Sequence, residues 1–232
     1  MSGVLNHPTE QGLEQLAVLA EPLRRRLYLH VAEQPAPVSR DAAAAALGIA
    51  RSLAAFHLDR LVGAGLLTTE FRRLSGRTGP GAGRPAKLYR LSDDEVRAAL
   101  PERRYEVAAE LFAQALASPD GGPDALAEAA STYGVELGTE ARRRAGPRAG
   151  RRQRLTALRS VLRDAGYVPI EQPGELRMLN CPFHELAQRH RQLTCGMNLS
   201  LLQGMLTGAR LPGELARLDQ RPGMCCVAIA TA

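Results

Sequence analysis

Tryptophan is absent, and all aromatic residues together make up 4% of the 232 residues. So sparse a set disfavours recognition of single-stranded nucleic acid by base stacking. Lysine occurs once, as Lys87, so arginine carries almost all the positive charge. No stretch approaches the ~18 apolar residues that a membrane span needs. The polar, acidic N-terminus also lacks the features of a secretory signal. A cytoplasmic protein with reduced thiols is the expectation. All four cysteines lie after residue 180. That late cluster suits metal or redox chemistry better than a disulfide framework.

What is present begins with charge. The formal net charge is +6 and the isoelectric point is near 9.6, which favours a polyanionic partner. Residues 1–92 hold twelve basic against seven acidic side chains. From 93 to 140 the balance reverses to three against eleven, and from 141 to 180 it returns to ten against three. These changes suggest a division at 1–92, 93–166 and 167–232.

The most informative stretch is SRDAAAAALGIARSLAAFHLDRLVGAG, from Ser39 to Gly65. Ser39 is a good N-cap, Asp41 suits the positive end of a helix, and the alanine run has high helix propensity. Gly48 can stop that helix in the left-handed conformation. A second helix over about Ala50–Ala64 would bury Ala54, Leu58 and Leu61, spaced i, i+4, i+7. Arg51, Ser52, Ala55, Phe56 and Arg60 then lie mostly on its other side. Two helices joined by a glycine-bearing turn fit a helix-turn-helix.

Leu66–Phe71 and Ala86–Leu91 read as paired strands around SGRTGPGAGRP, a hairpin tip rich in glycine and proline. With Arg72, Arg73, Arg77, Arg84 and Lys87, this hairpin reads as a DNA wing held to phosphates electrostatically. Its glycines precede a strand and no helix, so they are not a phosphate-cradling loop. Arg24-Arg25-Arg26, in an earlier helical segment, reads as a solvated face or as phosphate contacts.

Further along, Ser92 and Glu95 suggest a capping box, and Pro101 a helix with Tyr105, Ala108, Leu111, Phe112 and Leu116 on one face. That face suits either a dimer contact or internal packing. Asp124–Glu140 reads as a weaker helix, Ala141–Arg154 as a solvated connector, and Arg154–Ala165 as a helix ended by Gly166. Beyond it, Tyr167–Ile170 and Glu175–Leu179 read as a hairpin around Pro173-Gly174. Two helices, about Pro182–His190 and Gly196–Thr207, and two closing strands, Leu215–Leu218 and Cys225–Ile229, complete a small α+β module. The fold class expected is therefore mainly α with α+β: a winged helix-turn-helix domain, a helical dimerisation region and an α+β sensor domain.

Cys181 and Cys195 fall near expected helix starts, which favour the thiolate. If Cys225 and Cys226 lie on a strand they face opposite ways, so one of them joins the other two; Cys225 is preferred over Cys226. Three soft thiolates suit an iron–sulfur cluster or Zn²⁺, with His184 or His190 as a candidate fourth ligand. Cys181 and His184 could also meet as nucleophile and base, but no oxyanion-type glycine motif or orienting acid accompanies them. An enzyme is not expected.

The segment LAEPLRRRLYLHVAEQPAPVSRDAAAAALGIARSLAAFHLDRLVGAGLL with GRPAKLYRLS resembles the winged-helix domain of ArsR/DeoR-like bacterial repressors. LNCPFHELAQRHRQLTCGMNLSLLQGMLTG with GMCCVAI is similar to the sensor half of SufR-type regulators, repressors of iron–sulfur-cluster assembly genes. The resemblance implies a homodimer that binds an inverted-repeat DNA operator. It also implies a [4Fe-4S] or [2Fe-2S] cluster held by Cys181, Cys195 and Cys225, although the Cys225-Cys226 doublet departs from a single third cysteine.

Overall fold

Ser39 caps a helix, as its position suggests: its Oγ accepts the Ala42 N–H at 3.1 Å. The structure, a computed structural model, describes residues 8–73 and 85–231. The chain divides into two units, His7–Ala98 and Ala99–Ala232.

The first unit runs α1 (Pro8–Ala17), α2 (Pro22–Ala32), β1 (Val38–Ser39), α3 (Arg40–Leu47), α4 (Arg51–Gly63), β2 (Leu67–Arg72) and β3 (Ala86–Leu91). The turn between α3 and α4 depends on Gly48, whose φ of 66° places it in the left-handed region that glycine occupies without a Cβ penalty. The expected stripe Ala54, Leu58 and Leu61 is fully buried, against Leu27, Val31 and Tyr89 among others. β3 lies between β1 and β2, antiparallel to both, with Leu67 opposite Leu91 and Arg72 opposite Ala86. This is the winged arrangement. The expected wing tip, with Arg77 and Arg84, lies outside the described residues.

The second unit runs α5 (Tyr105–Ala117), α6 (Gly122–Ala145), α7 (Arg151–Asp164), β4 (Pro169–Gln172), β5 (Glu175–Met178), α8 (His184–Arg189), α9 (Arg191–Gly208), β6 (Ala216–Leu218) and β7 (Val227–Ala230). Its sheet has the order β4-β5-β7-β6 and is antiparallel throughout. Leu111, Leu158, Met178, Leu202 and Ile229, from both helices and sheet, share one core. The segment 93–166 therefore does not stand apart from the segment after it.

The pair α6 and α9 forms the spine of this unit. A Cβ on Gly138 would sit 2.0 Å from the Met205 carbonyl oxygen, and one on Gly134 2.1 Å from that of Leu201. From the other side, a Cβ on Gly204 would come within 2.2 Å of the Ser131 oxygen, and one on Gly208 within 2.3 Å of that of Val135. Glycine at four facing positions lets the two backbones touch. That closeness offsets the roughly 0.5–1 kcal/mol each glycine costs in a helix.

Several expectations need correction. Ser92 and Glu95 form no capping box: residues 92–104 are not helical, and the Ser92 Oγ instead accepts the Asp94 N–H at 3.3 Å. Pro101 opens no helix either. α5 starts at Tyr105, after the Arg104 N–H has bonded the Pro182 carbonyl at 3.1 Å. On α5, Ala108, Leu111 and Ala115 are buried within the unit, while Leu116 is 81% exposed.

Ala141–Arg154 is no solvated linker. α6 continues to Ala145, with Arg142–Arg144 in its last turn, where the helix dipole favours cations. Glu140 holds both Arg143 and Arg144, at 2.6 and 2.8 Å. β7 begins at Val227, so Cys225 and Cys226 precede the strand and its alternation does not govern them.

Candidate functional site

The first candidate surface is the leading end of α4. Arg51 and Ser52 are exposed, Phe56 is 52% exposed, and Ala55 is half-buried. The Arg60 guanidinium lies 5.7 Å from the centre of the Phe56 ring. The helix starts at Ala50 without a side-chain cap, so its first N–H groups are left for a ligand or water. Arg51 forms an ion pair with Asp41, an exchange that contact with a base would have to reverse.

Lys87 differs from a free phosphate contact. Its Nζ lies 2.7 Å from Asp59 Oδ1, which also accepts the Tyr89 hydroxyl at 2.8 Å. Burial, with Asp59 next in effect, pushes the Tyr89 hydroxyl up to about 12. Burial alone would raise the Asp59 carboxyl, but the Lys87 and Tyr89 hydrogen bonds bring it below its usual range.

Two structural polar residues in this unit escape the charge pattern. His57 is buried on α4, its Nδ1 at 3.4 Å from both Glu21 Oε2 and Arg24 Nε. Its place at i+3 from Ala54, beside Leu58, was the available signal. Arg24 also donates to the Val18 carbonyl at 2.9 Å, so it bolts α2 to α4 instead of standing on a solvated face.

The second candidate site is in the Ala99–Ala232 unit. A cavity of about 590 Å³ has Cys181, Cys195 and Cys226 in its wall, together with His184. These thiols come from three segments: the loop after β5, the first turns of α9, and the approach to β7. Arg103, Arg191 and Arg221 also line it, and no aspartate or glutamate does. Cys225 is 1% exposed and stands behind that wall, its sulfur accepting the Asn198 amide at 3.2 Å. His190 does not line this cavity.

Neighbouring thiols act on one another's acidity: Cys181 with Cys225, Cys225 with Cys226, and Cys226 with Cys195. The Cys225 thiol is held well below its ordinary value, by Cys181 first and by Cys226 next. Cys195 is lowered by Cys226. Their neighbours move the other way: Cys181 is raised by Cys225, and Cys226 by Cys195 and Cys225. A thiol held low by its neighbours is closer to the thiolate, the form that metals and oxidants engage. Among the described residues, no three His, Cys, Asp or Glu side chains converge on a single metal-ion position.

An ion network positions the loop that carries the doublet. Arg177 is completely buried, its Nε 2.8 Å from Glu175 Oε1 and its Nη1 2.9 Å from the Asp219 carbonyl. It also pairs with the Asp219 carboxylate. Asp219 returns a backbone bond to the Cys226 carbonyl at 2.8 Å, and the Cys225 N–H bonds Met178 at 2.9 Å. The loop is therefore fixed at both ends of the Asp219–Cys226 stretch. Strand alternation alone gave no sign of this arginine's burial.

The Cys181 loop is held from another direction. Arg103 Nη1 donates to the Cys181 carbonyl at 3.1 Å, next to the bond between the Arg104 N–H and Pro182. Arg103 follows shortly after Ala98, the last residue of the first unit.

Among the described residues no helix is long and apolar enough to cross a membrane. Residues 19–70, from the turn before α2 into β2, match a family model described as a helix-turn-helix domain. No curated protein and no solved structure matches the chain. The chain thus carries a helix-turn-helix domain of the kind through which transcriptional regulators bind double-stranded DNA.

Proposed function

We propose that this protein is a transcriptional repressor whose grip on its DNA operator is set by an iron–sulfur group held by Cys181, Cys195 and Cys226. One observation carries the proposal: three thiols from separate segments line one cavity that also has three arginines and no carboxylate. Soft thiolates are the donors such clusters take, and the arginines offset the negative charge that thiolate ligation brings. The resemblance to SufR-type sensors points the same way. Cys226 takes the third place, in preference to Cys225, because its side chain lines the cavity and that of Cys225 does not. His184 is the nearest candidate from this chain for a fourth ligand.

Bound there, the group would tie three segments together through bonds that depend on iron supply and oxidants. The chain's own residues do the rest. Arg103 and Arg104 join the Cys181–Pro182 loop to the residues that follow the DNA-binding unit. Arg177 holds the opposite loop through Asp219. A shift of the Cys181 loop therefore reaches the connecting segment directly. A 10–100-fold change in operator affinity needs only about 1.4–2.8 kcal/mol of coupling.

In the same reading the protein acts as a homodimer, its two α4 helices entering successive major grooves about 34 Å apart. Arg51 reads guanine, Ser52 a base edge or phosphate, and Ala55 and Phe56 a thymine methyl. Arg60, Arg77 and Arg84 neutralise phosphates, and Lys87, expected from the sequence to do the same, is held by Asp59 instead. Purification without oxygen, with iron, sulfide and visible absorbance measured, tests the cofactor. A coloured, iron-bearing protein that loses both features as Cys181→Ser is expected; a colourless, iron-free wild type overturns the reading. Footprinting of the iron-loaded and iron-free forms tests the operator, expected to be an inverted repeat.

A further inference from the structure

The arginine run that reads as a connector in the sequence borders, in the fold, a cavity of its own. This cavity, of about 460 Å³, lies within the Ala99–Ala232 unit, where the end of α6, the start of α7 and the end of α9 meet. Arg142, Arg143, Arg154 and Arg210 line it together with Thr139, and among the described residues no aspartate or glutamate does. Its size falls within the roughly 300–1,000 Å³ of small-molecule sites. None of the cysteines borders it.

Three of these arginines have charge to spare. The ion pairs to Glu140 take Arg143 and Arg144 and leave out Arg142, Arg154 and Arg210. A cation in the last turn of a helix answers the helix dipole, which accounts for Arg142 on α6 but not for the other two. Arg154 stands near the start of α7, the positive end, where a cation is disfavoured. Its Nη1 donates to the Arg210 carbonyl at 3.1 Å, while its Nε is shut off from solvent without a hydrogen-bond partner. Arg210 follows α9 with φ at 57°, the one non-glycine residue in the left-handed region among those described. Helices commonly end on glycine there, because a Cβ is disfavoured. Arginine is thus a poor choice for the fold at both positions, yet both side chains line the same recess.

We infer that this cavity binds a small anion carrying two linked phosphate groups, gripped by Arg142, Arg154 and Arg210. Guanidinium groups present paired N–H donors that match phosphate oxygens. Three uncompensated cations exceed what one phosphate neutralises, and they suit inorganic pyrophosphate or the diphosphate portion of a nucleotide. The Thr139 hydroxyl adds a further donor. A turn of the Arg154 guanidinium onto the ligand gives its Nε the partner it lacks. A DNA duplex fits less well, since its phosphates lie along a convex ridge and these cations line a recess between three helix ends. The inference does not depend on the iron–sulfur reading.

The test is calorimetric titration of the full chain with inorganic pyrophosphate, adenosine diphosphate and inorganic phosphate, beside melting curves with and without pyrophosphate. Pyrophosphate should bind once per chain, roughly tenfold or more tighter than phosphate, and raise the melting temperature. Tighter binding of adenosine diphosphate than of pyrophosphate assigns the site to a nucleotide; the reverse order assigns it to pyrophosphate itself. Arg210→Gly is the informative variant, because glycine fits the left-handed position. Without ligand it should melt no lower than the wild type, while its pyrophosphate affinity falls roughly tenfold or more. Arg142→Gln should lose affinity similarly. Arg163→Gln, which removes an exposed arginine outside the cavity wall, should leave it unchanged.

Absence of saturable binding at millimolar pyrophosphate would overturn the inference. So would equal losses in all three variants, which would mean that overall charge attracts the anion. Weaker binding of duplex DNA by Arg210→Gly and Arg142→Gln, with pyrophosphate affinity unmoved, would make the cluster a DNA contact and defeat the inference as well.

Discussion

Arg60 and Lys87 are the same kind of residue by charge, but their surroundings separate them. Arg60 is exposed and leans on Phe56, whereas Lys87 is tied to Asp59 at 2.7 Å. A free cation that neutralises one phosphate contributes about one unit to the slope of log affinity against log salt. Arg60→Ala should therefore flatten that slope by about one unit per protomer, measured by anisotropy on labelled operator. Lys87→Ala should change it much less, since its charge is already offset, and Asp59→Asn should steepen it. An equal loss for both alanine variants would show that the Asp59 pair opens on DNA. None of this was legible in the sequence, where strand β3 and helix α4 are far apart. The same holds for Arg177: a lone arginine in an alternating strand reads as solvent-facing until its partners at Glu175 and Asp219 are in view. The cysteine doublet misled for a related reason, because alternation applies only to residues inside a strand, and these two precede it.

At the scale of elements, the helix-turn-helix was legible because each of its signals is local. Ser39 caps, Gly48 turns, and Ala54, Leu58 and Leu61 face the core within one helix. The α6–α9 pair was not, since its signal is glycine spacing on two helices about seventy residues apart. Charge also hid it: the arginine-dense end of α6 resembles a linker until Glu140 is seen to hold two of those arginines. Gly138→Ala would force a Cβ to within 2.0 Å of a backbone oxygen. It should cost more than about 3 kcal/mol in denaturant unfolding, or prevent folding, as overpacking against a backbone does. Gly196→Ala, on the same α9, meets nothing within 4 Å. It should stabilise by about 0.5–1 kcal/mol. If the two variants behaved alike, close packing would not be what sets the α6–α9 contact. At the end of α6, hydrogen bonds from Arg143 and then Arg144 hold the Glu140 carboxyl down at about 2. Because the folded value lies below the ordinary 4.5, the contribution is complete above that pH and disappears as pH falls towards 2. Melting temperatures of wild type and Glu140→Gln should therefore differ at neutral pH and converge in acid.

For the whole molecule, charge and periodicity suggested divisions after 92 and after 166, whereas the chain separates into two units after Ala98 and shares one core across 166. What they could not supply is the proposed link from thiols to DNA, which would run through hydrogen bonds between residues distant in sequence. Arg103 is its most exposed point: one guanidinium bond to the Cys181 carbonyl, beside the backbone bond of Arg104 to Pro182. Arg103 ligates nothing in the proposed site, so Arg103→Ala should still take up iron and retain most of its visible absorbance. Its iron-free form should bind operator as the wild type does, because the DNA-reading helix is untouched. The difference between the two forms should shrink. Coupling between sites is a free energy, and losing a hydrogen bond to a backbone carbonyl removes about 0.5–1.5 kcal/mol of it. A wild-type ratio of loaded to iron-free affinity should then fall roughly three- to tenfold in the variant, with Arg103→Lys in between. Anisotropy titrations of both forms, with iron content measured on the same samples, read this directly. If iron content holds and the ratio does not move, the Cys181 loop does not communicate through Arg103. The path would then have to run through the other half of the cavity wall, where Arg177 and Asp219 hold the doublet.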